Sequence, residues 1–406
     1  MKFQTTTLRT RNSNSRSPLR CSFLLIALTL ACSVPSWTAR AADGDLPNQN
    51  AAEVTGAADE VALPAASSIS VFATGLNNPR GLKFGPDGFL YVAEGGTGGL
   101  NSTDGACDQV VPPVGPYTAN VTGARISKIG PNGFRTTVVD NLPSSQTSAD
   151  TGNLISGVAD VAFIGNTLYA VLAGAGCSHG VPNIPNGVIR VNANSSWSLI
   201  ANLSRFIMNH PVANPNPPDF EPDGTWYSMV AVGNDLFAVE PNHQEIDRIS
   251  PTTGQISRLI DISIIYPGFT NWQGPTAITY HNGNFFVGTL NPFPIAPGSS
   301  KVFKITPTGQ ISVFRSSLTT ILGLAFDSAG RLYVLENTTG VGNQFPTPGT
   351  GKVIRIDPSG NRTLMASGLF LPTAMTFGPD GALYVSNVGF GPPPNGLGQV
   401  LRITIP

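Results

Sequence analysis

The segment Phe84-Gly85-Pro86-Asp87-Gly88-Phe89-Leu90-Tyr91-Val92 returns almost letter for letter as Phe377-Gly378-Pro379-Asp380-Gly381-Ala382-Leu383-Tyr384-Val385. A recurring unit constrains a fold more than composition can, because each copy needs its neighbours to bury its apolar face. Weaker copies centre on Tyr169, Phe237, Phe286 and Tyr333, which makes six aromatic residues inside short apolar strands. Each copy is a strand, a turn bearing Gly or Asn, and a second strand. Asp-Gly and Asn-Gly suit tight hairpins because both residues tolerate positive φ.

A second motif falls six times between these copies: Arg125–Ile129, Val188–Val191, Ile246–Ile249, Val302–Ile305, Val353–Ile356 and Val400–Ile403. Apolar and basic residues alternate in it, which predicts a strand with one buried and one wet face. A fourth strand follows most copies, as in Gln310-Ile311-Ser312-Val313-Phe314. The unit is therefore four strands, a to d, at a period of roughly 50 residues, the pattern of a β-propeller.

The count closes at six blades. The chain ends at strand c of the sixth unit and begins with an orphan strand d, Ser68-Ile69-Ser70-Val71-Phe72. That strand is expected to complete the last blade and remove a free edge. Composition agrees: 12% charged residues, 45 Gly and 35 Pro fit many turns and few long helices.

Residues 1–41 hold six basic groups and no acidic ones, leaving the remainder with a net charge of −7. A mildly acidic mature protein is a poor partner for nucleic acid. Basic residues to Arg20, an apolar run from Phe23 to Ala31 and Ala39-Arg40-Ala41 predict a cleaved export signal over 1–41. The run is too short to span a bilayer, so no stable membrane insertion is expected once it is removed. Residues 42–67 are expected to form a disordered spacer, and 68–406 the propeller. The expected location is periplasmic or extracellular. There Cys107 and Cys177, in the b–c loops of adjacent blades, are expected to form a disulfide.

The a–b and c–d turns are short, and all long insertions fall on the opposite face: 95–123, 174–187, 290–300, 338–351 and 388–398 in b–c loops, 143–157, 206–226 and 264–275 in d–a loops. Long loops on a rigid scaffold are where sites gather. Glu94, Glu240 and Glu336 end strands b, and Arg80 and Asp160 begin strands a, so these five are the candidate catalytic set. Tyr227, His179, His243 and Asn387 on the same face are candidate substrate contacts. Carboxylates crowded at one axis raise one another's pKa or recruit a cation. A divalent cation in the axial channel, with Asn291 as a further ligand, is the candidate cofactor. Otherwise each Glu is solvated or caps backbone amides of its own loop.

The stretch from Phe72 to Gly88, the following Tyr91-Val92-Ala93-Glu94, the loop around Cys107 and Asp140-Asn141-Leu142-Pro143-Ser144 resemble the ScyD/ScyE family, named after scytonemin biosynthesis. The likeness runs from about residue 68 to the end, with later blades similar to generic NHL-type repeats. It implies an exported protein acting on a small aromatic molecule in late pigment assembly, where an indole–phenol monomer is dimerised oxidatively. No catalytic residue carries over from the resemblance. The alternatives are a binding module for an aromatic ligand or partner protein, and a metal-dependent lactonase-like hydrolase. The chain shows no clear match to the metal-binding set of gluconolactonase-type propellers.

Overall fold

The computed structural model describes residues 67–406 apart from 216–219, 293, 340–345 and 390–395. The stretches expected to be an export signal and, but for residue 67, a spacer lie outside these residues. Six antiparallel sheets follow one another, each a blade. Their innermost strands are Pro79–Phe84, Val158–Ile164, Ser228–Val232, Gly274–His281, Ile321–Phe326 and Ala374–Phe377, and each touches the next around a closed ring. Strand Ile69–Leu76 closes the ring by pairing with Gly398–Ile403, in a register that sets Ile69 opposite Ile403 and Val71 opposite Leu401.

Apolar residues on both faces of most strands fill the seams between blades. In four of the six blades the aromatic residue of strand b meets the end of the next blade's strand a. Tyr91 packs edge-on to Phe163, Phe286 to Phe326, Tyr333 to Phe377 and Tyr384 to Phe84, all at 4.8–5.0 Å between ring centres. Such pairs each contribute about 0.5–1.5 kcal/mol beyond area burial. The wet face expected for strand c shrinks to its basic residue: in Glu245–Ile249 only Arg248 is exposed. The reason is that a blade has a neighbour on each side, so both faces of its middle strands are covered.

Around the axis, side chains stitch adjacent blades together. Asp160 of blade 2 accepts from the Met229 amide (2.8 Å) and Ser228 hydroxyl (2.9 Å) of blade 3. Thr276 of blade 4 donates to the Ile321 carbonyl of blade 5 (2.6 Å), and Thr373 before blade 6 to the Pro79 carbonyl of blade 1 (2.6 Å).

Parts of the loop face carry regular structure. Within 95–123 and 143–157, strands Thr118–Ile129 and Arg135–Gln146 rise above blade 1 as one long hairpin, flanked by Asn101–Ser102 and Ile155–Ser156. Pairing satisfies backbone groups that a loop of that length would leave open. An α-helix, Leu203–Asn209, leads into the 206–226 insertion and is capped by Asn202, whose side chain accepts from the Arg205 amide.

Candidate functional site

Glu94, Glu240 and Glu336 are buried but are not brought together at the axis. Each sits on the second strand of its blade and turns its carboxylate onto the d–a turn that enters that blade. Glu94 accepts from the Asn77 amide (2.6 Å), from Arg125 Nε (2.8 Å) and from the Ser127 hydroxyl. Glu336 accepts from the Thr319 amide (2.9 Å) and pairs with Lys352 (3.1 Å). Burial still raises the Glu336 pKa against that lysine. Asn387 does the same job in blade 6, taking the Phe370 amide at 2.8 Å. A backbone amide stripped of water needs a partner, and strand b ends where that amide points. These residues thus cap their own loops. Among the described residues no three His, Cys, Asp or Glu side chains are placed to hold a metal ion. Asn291 is bound locally to the Ser299 carbonyl (3.0 Å) and Thr289 (3.3 Å).

Arg80, Asp160 and Tyr227 do meet, near the loop-face end of the innermost strands. Arg80 donates to the Tyr227 hydroxyl (3.1 Å) and the Ile155 carbonyl (2.5 Å). Burial raises the pKa of both Asp160 and Tyr227. Asp160 has both oxygens occupied by blade 2 and blade 3 donors, a stitching rather than a reacting carboxylate.

The richest cluster lies where the loops of blades 1 to 3 converge. His243 Nδ1 sits 3.0 Å from Glu240 Oε2, and the same oxygen accepts the His243 amide (2.5 Å). Glu240 Oε1 accepts the Thr225 amide at 2.8 Å. The Thr225 hydroxyl lies 3.3 Å from His179 Nε2, which is 3.1 Å from Glu221 Oε2. Tyr117 donates to the other Glu221 oxygen (3.0 Å) and packs edge-on against His179. Next to His179, the Ser178 amide and hydroxyl both donate to Asp223 (2.7 and 2.8 Å). The Cys107–Cys177 disulfide, with Cα atoms 6.3 Å apart, fastens this corner to the blade 1 loop.

Burial alone would push the His243 imidazole down, but the carboxylates of Glu240, Glu245 and Glu221 outweigh it and hold it above its ordinary value. Phe220 lies edge-on over the imidazole at 5.2 Å and is itself exposed. With Nδ1 held by Glu240, Nε2 takes no hydrogen bond from a described residue.

Two further acids went unnoticed in the sequence. Glu245 and Asp247 are fully buried in the seam between blades 2 and 3, with Arg258 bound to Glu245 and the Trp226 indole to Asp247 (3.1 Å). Burial raises Glu245 to about 7 and Asp247 well above its ordinary value. The signal was available: at the Asp247 position other copies of the repeat carry Ile189, Phe303, Ile354 and Leu401.

Fold and site together define a six-bladed β-propeller with a buried acid–base network under its long loops. No family model matches the sequence, and no curated protein matches it. Among solved structures it is similar to a gluconolactonase from Xanthomonas campestris, with TM-score 0.48 and 10% identity over 84% of this chain and 90% of that one. A putative oxidoreductase (glucose dehydrogenase) from Thermus thermophilus gives 0.49 and 17% over 84% and 100%. The soluble aldose sugar dehydrogenase of Escherichia coli, in its apo form, gives 0.48 and 12% over 84% and 99%. No residue or activity is carried over from them.

Proposed function

We propose that the protein acts outside the cytoplasm on a small aromatic molecule, in a late step of scytonemin assembly, with Glu240 and His243 as its acid–base pair. The observation that carries the chemistry is the imidazole held by Glu240 beneath the exposed ring of Phe220. The aromatic substrate and the export rest on the family resemblance and the leader.

The neighbouring carboxylates favour the protonated form of His243. An imidazolium beside a phenol oxygen stabilises the phenolate, whose proton leaves to solvent. The phenolate gives up an electron far more easily than the phenol. Joining two monomers removes two electrons and two protons in all, and an external acceptor of the quinone or dioxygen class takes the electrons. Exposed apolar side chains on the same face, Ile264, Ile265, Phe370 and Leu397, suit an aromatic guest.

The test is purified protein with the reduced indole–phenol monomer and a quinone acceptor, with and without a chelator. Product is expected, with turnover at least tenfold lower in His243→Asn and Glu240→Gln at unchanged monomer binding. Saturable binding without product would make the protein a binding module. Full turnover in His243→Asn would overturn the assignment of the pair.

A further inference from the structure

On the face of the tight turns, three blades share a lock. The strand b tyrosine donates its hydroxyl to an aspartate of the a–b turn: Tyr91 to Asp87 (2.9 Å), Tyr333 to Asp327 (3.2 Å), Tyr384 to Asp380 (3.1 Å). A basic side chain holds each aspartate from the other side: Lys128 (2.7 Å), Arg331 (2.6 Å) and Arg402 (2.9 Å). The lock therefore has a phenol, a carboxylate and a cation.

Blade 3 has only two of the three parts. Asp235 is held by Arg248 through Nε (3.0 Å) and a terminal nitrogen (2.6 Å), and its second oxygen takes no hydrogen bond from a described residue. The aromatic position is Phe237, which has no hydroxyl. The a–b turn is also shorter here, Val232-Gly233-Asn234-Asp235, so less chain covers the seam. A cavity of about 400 Å³ opens at this seam, walled by Phe237, Phe285 and Tyr280, with Asp235 and Arg248 among its lining. That volume lies within the range of small-molecule sites, and aromatic walls with a few fixed polar groups are their usual make-up.

We propose that this cavity is a binding site for a small phenol, whose ring stacks among the aromatic walls and whose hydroxyl donates to Asp235, completing the missing lock. The site is on the opposite face from Glu240 and His243 and does not depend on their role.

The experiment titrates the full chain with 4-methylphenol and, separately, with toluene, which has the same shape without the hydroxyl. Ligand-observed NMR reads the affinities. Saturable binding of 4-methylphenol is expected, at least tenfold tighter than toluene. Phe237→Tyr, which supplies the hydroxyl from the protein, should weaken 4-methylphenol at least tenfold. Asp235→Leu, a change at a partly exposed strand end, should do the same and guards against a misfolded tyrosine variant. Equal affinity for the two probes would overturn the proposal, as would 4-methylphenol binding that survives Asp235→Leu. Binding lost in His243→Asn but kept in Phe237→Tyr would put the phenol on the loop face and overturn it too.

Discussion

Asp247 accepts a hydrogen bond from the Trp226 indole at 3.1 Å, inside the seam between blades 2 and 3, and its other oxygen is buried with no partner among the described residues. Glu245, two residues earlier, also has a buried oxygen without a partner. One guanidinium, Arg258, faces two carboxylates there, which leaves the seam short of positive charge.

Stability should therefore fall as pH rises from about 4.5 to about 7, the ordinary and folded values for Glu245. An acid with a raised folded pKa binds its proton in the folded state first, so protonation favours folding across that window. The raised His243 acts in the same sense, its contribution present below 6.5 and lost as pH climbs through its folded value. For Glu245 alone the difference is on the order of 3 kcal/mol. The lowered turn aspartates Asp87, Asp327 and Asp380 act oppositely, below about pH 4. Denaturant titrations at pH 5 and pH 8 should show greater stability at pH 5. Glu245→Gln and Asp247→Asn should narrow the gap, and an unchanged gap in both would refute this account.

Asp160→Ala should destabilise the protein by about 2–3 kcal/mol, because it strands the buried Met229 and Val161 amides. Gly81→Ala should act through the same place. A Cβ there would lie 1.8 Å from Asp160 Oδ1 and 2.7 Å from its Cα, so backbone must move. Chemical denaturation would check both, and neutral effects would show that the blades hold without this stitch.

Deleting residues 67–76 should lower the melting temperature far more than deleting 42–66. Only the former removes the strand paired with Gly398–Ile403 and bares an edge in blade 6. Equal melting temperatures would argue against closure by this strand.

Protein from an oxidising compartment should show no alkylatable thiol at Cys107 or Cys177 until it is reduced and unfolded. Replacing both with Ser should cost about 4 kcal/mol on the loop-entropy argument. It should also raise amide exchange around Ser178 and His179. Unchanged exchange there would separate the disulfide from the acid–base network.

The candidate site was only half legible in the sequence. Arg80 and Tyr227 could be paired because both precede or begin innermost strands, which converge. The glutamates at the ends of strands b share a blade position without sharing a place, because the nearest unpaired amide in each blade captures the carboxylate. Tyr117, Glu221 and Asp223 lie within long insertions, where no periodicity marks which side chains turn inward.

Strand alternation, turn chemistry and repeat length are local properties, carried by residues a few positions apart. They were enough to determine six blades, their strand order and closure by the first strand on the last. Which charges face one another across a seam was decided only by the tertiary structure. Glu221 and His179 are 42 residues apart, and their meeting depends on how two loops pack once the ring has closed. Burial then sets the chemistry. The solvent that would screen Glu245, Asp247 and His243 in the open chain is excluded when blades 2 and 3 come together.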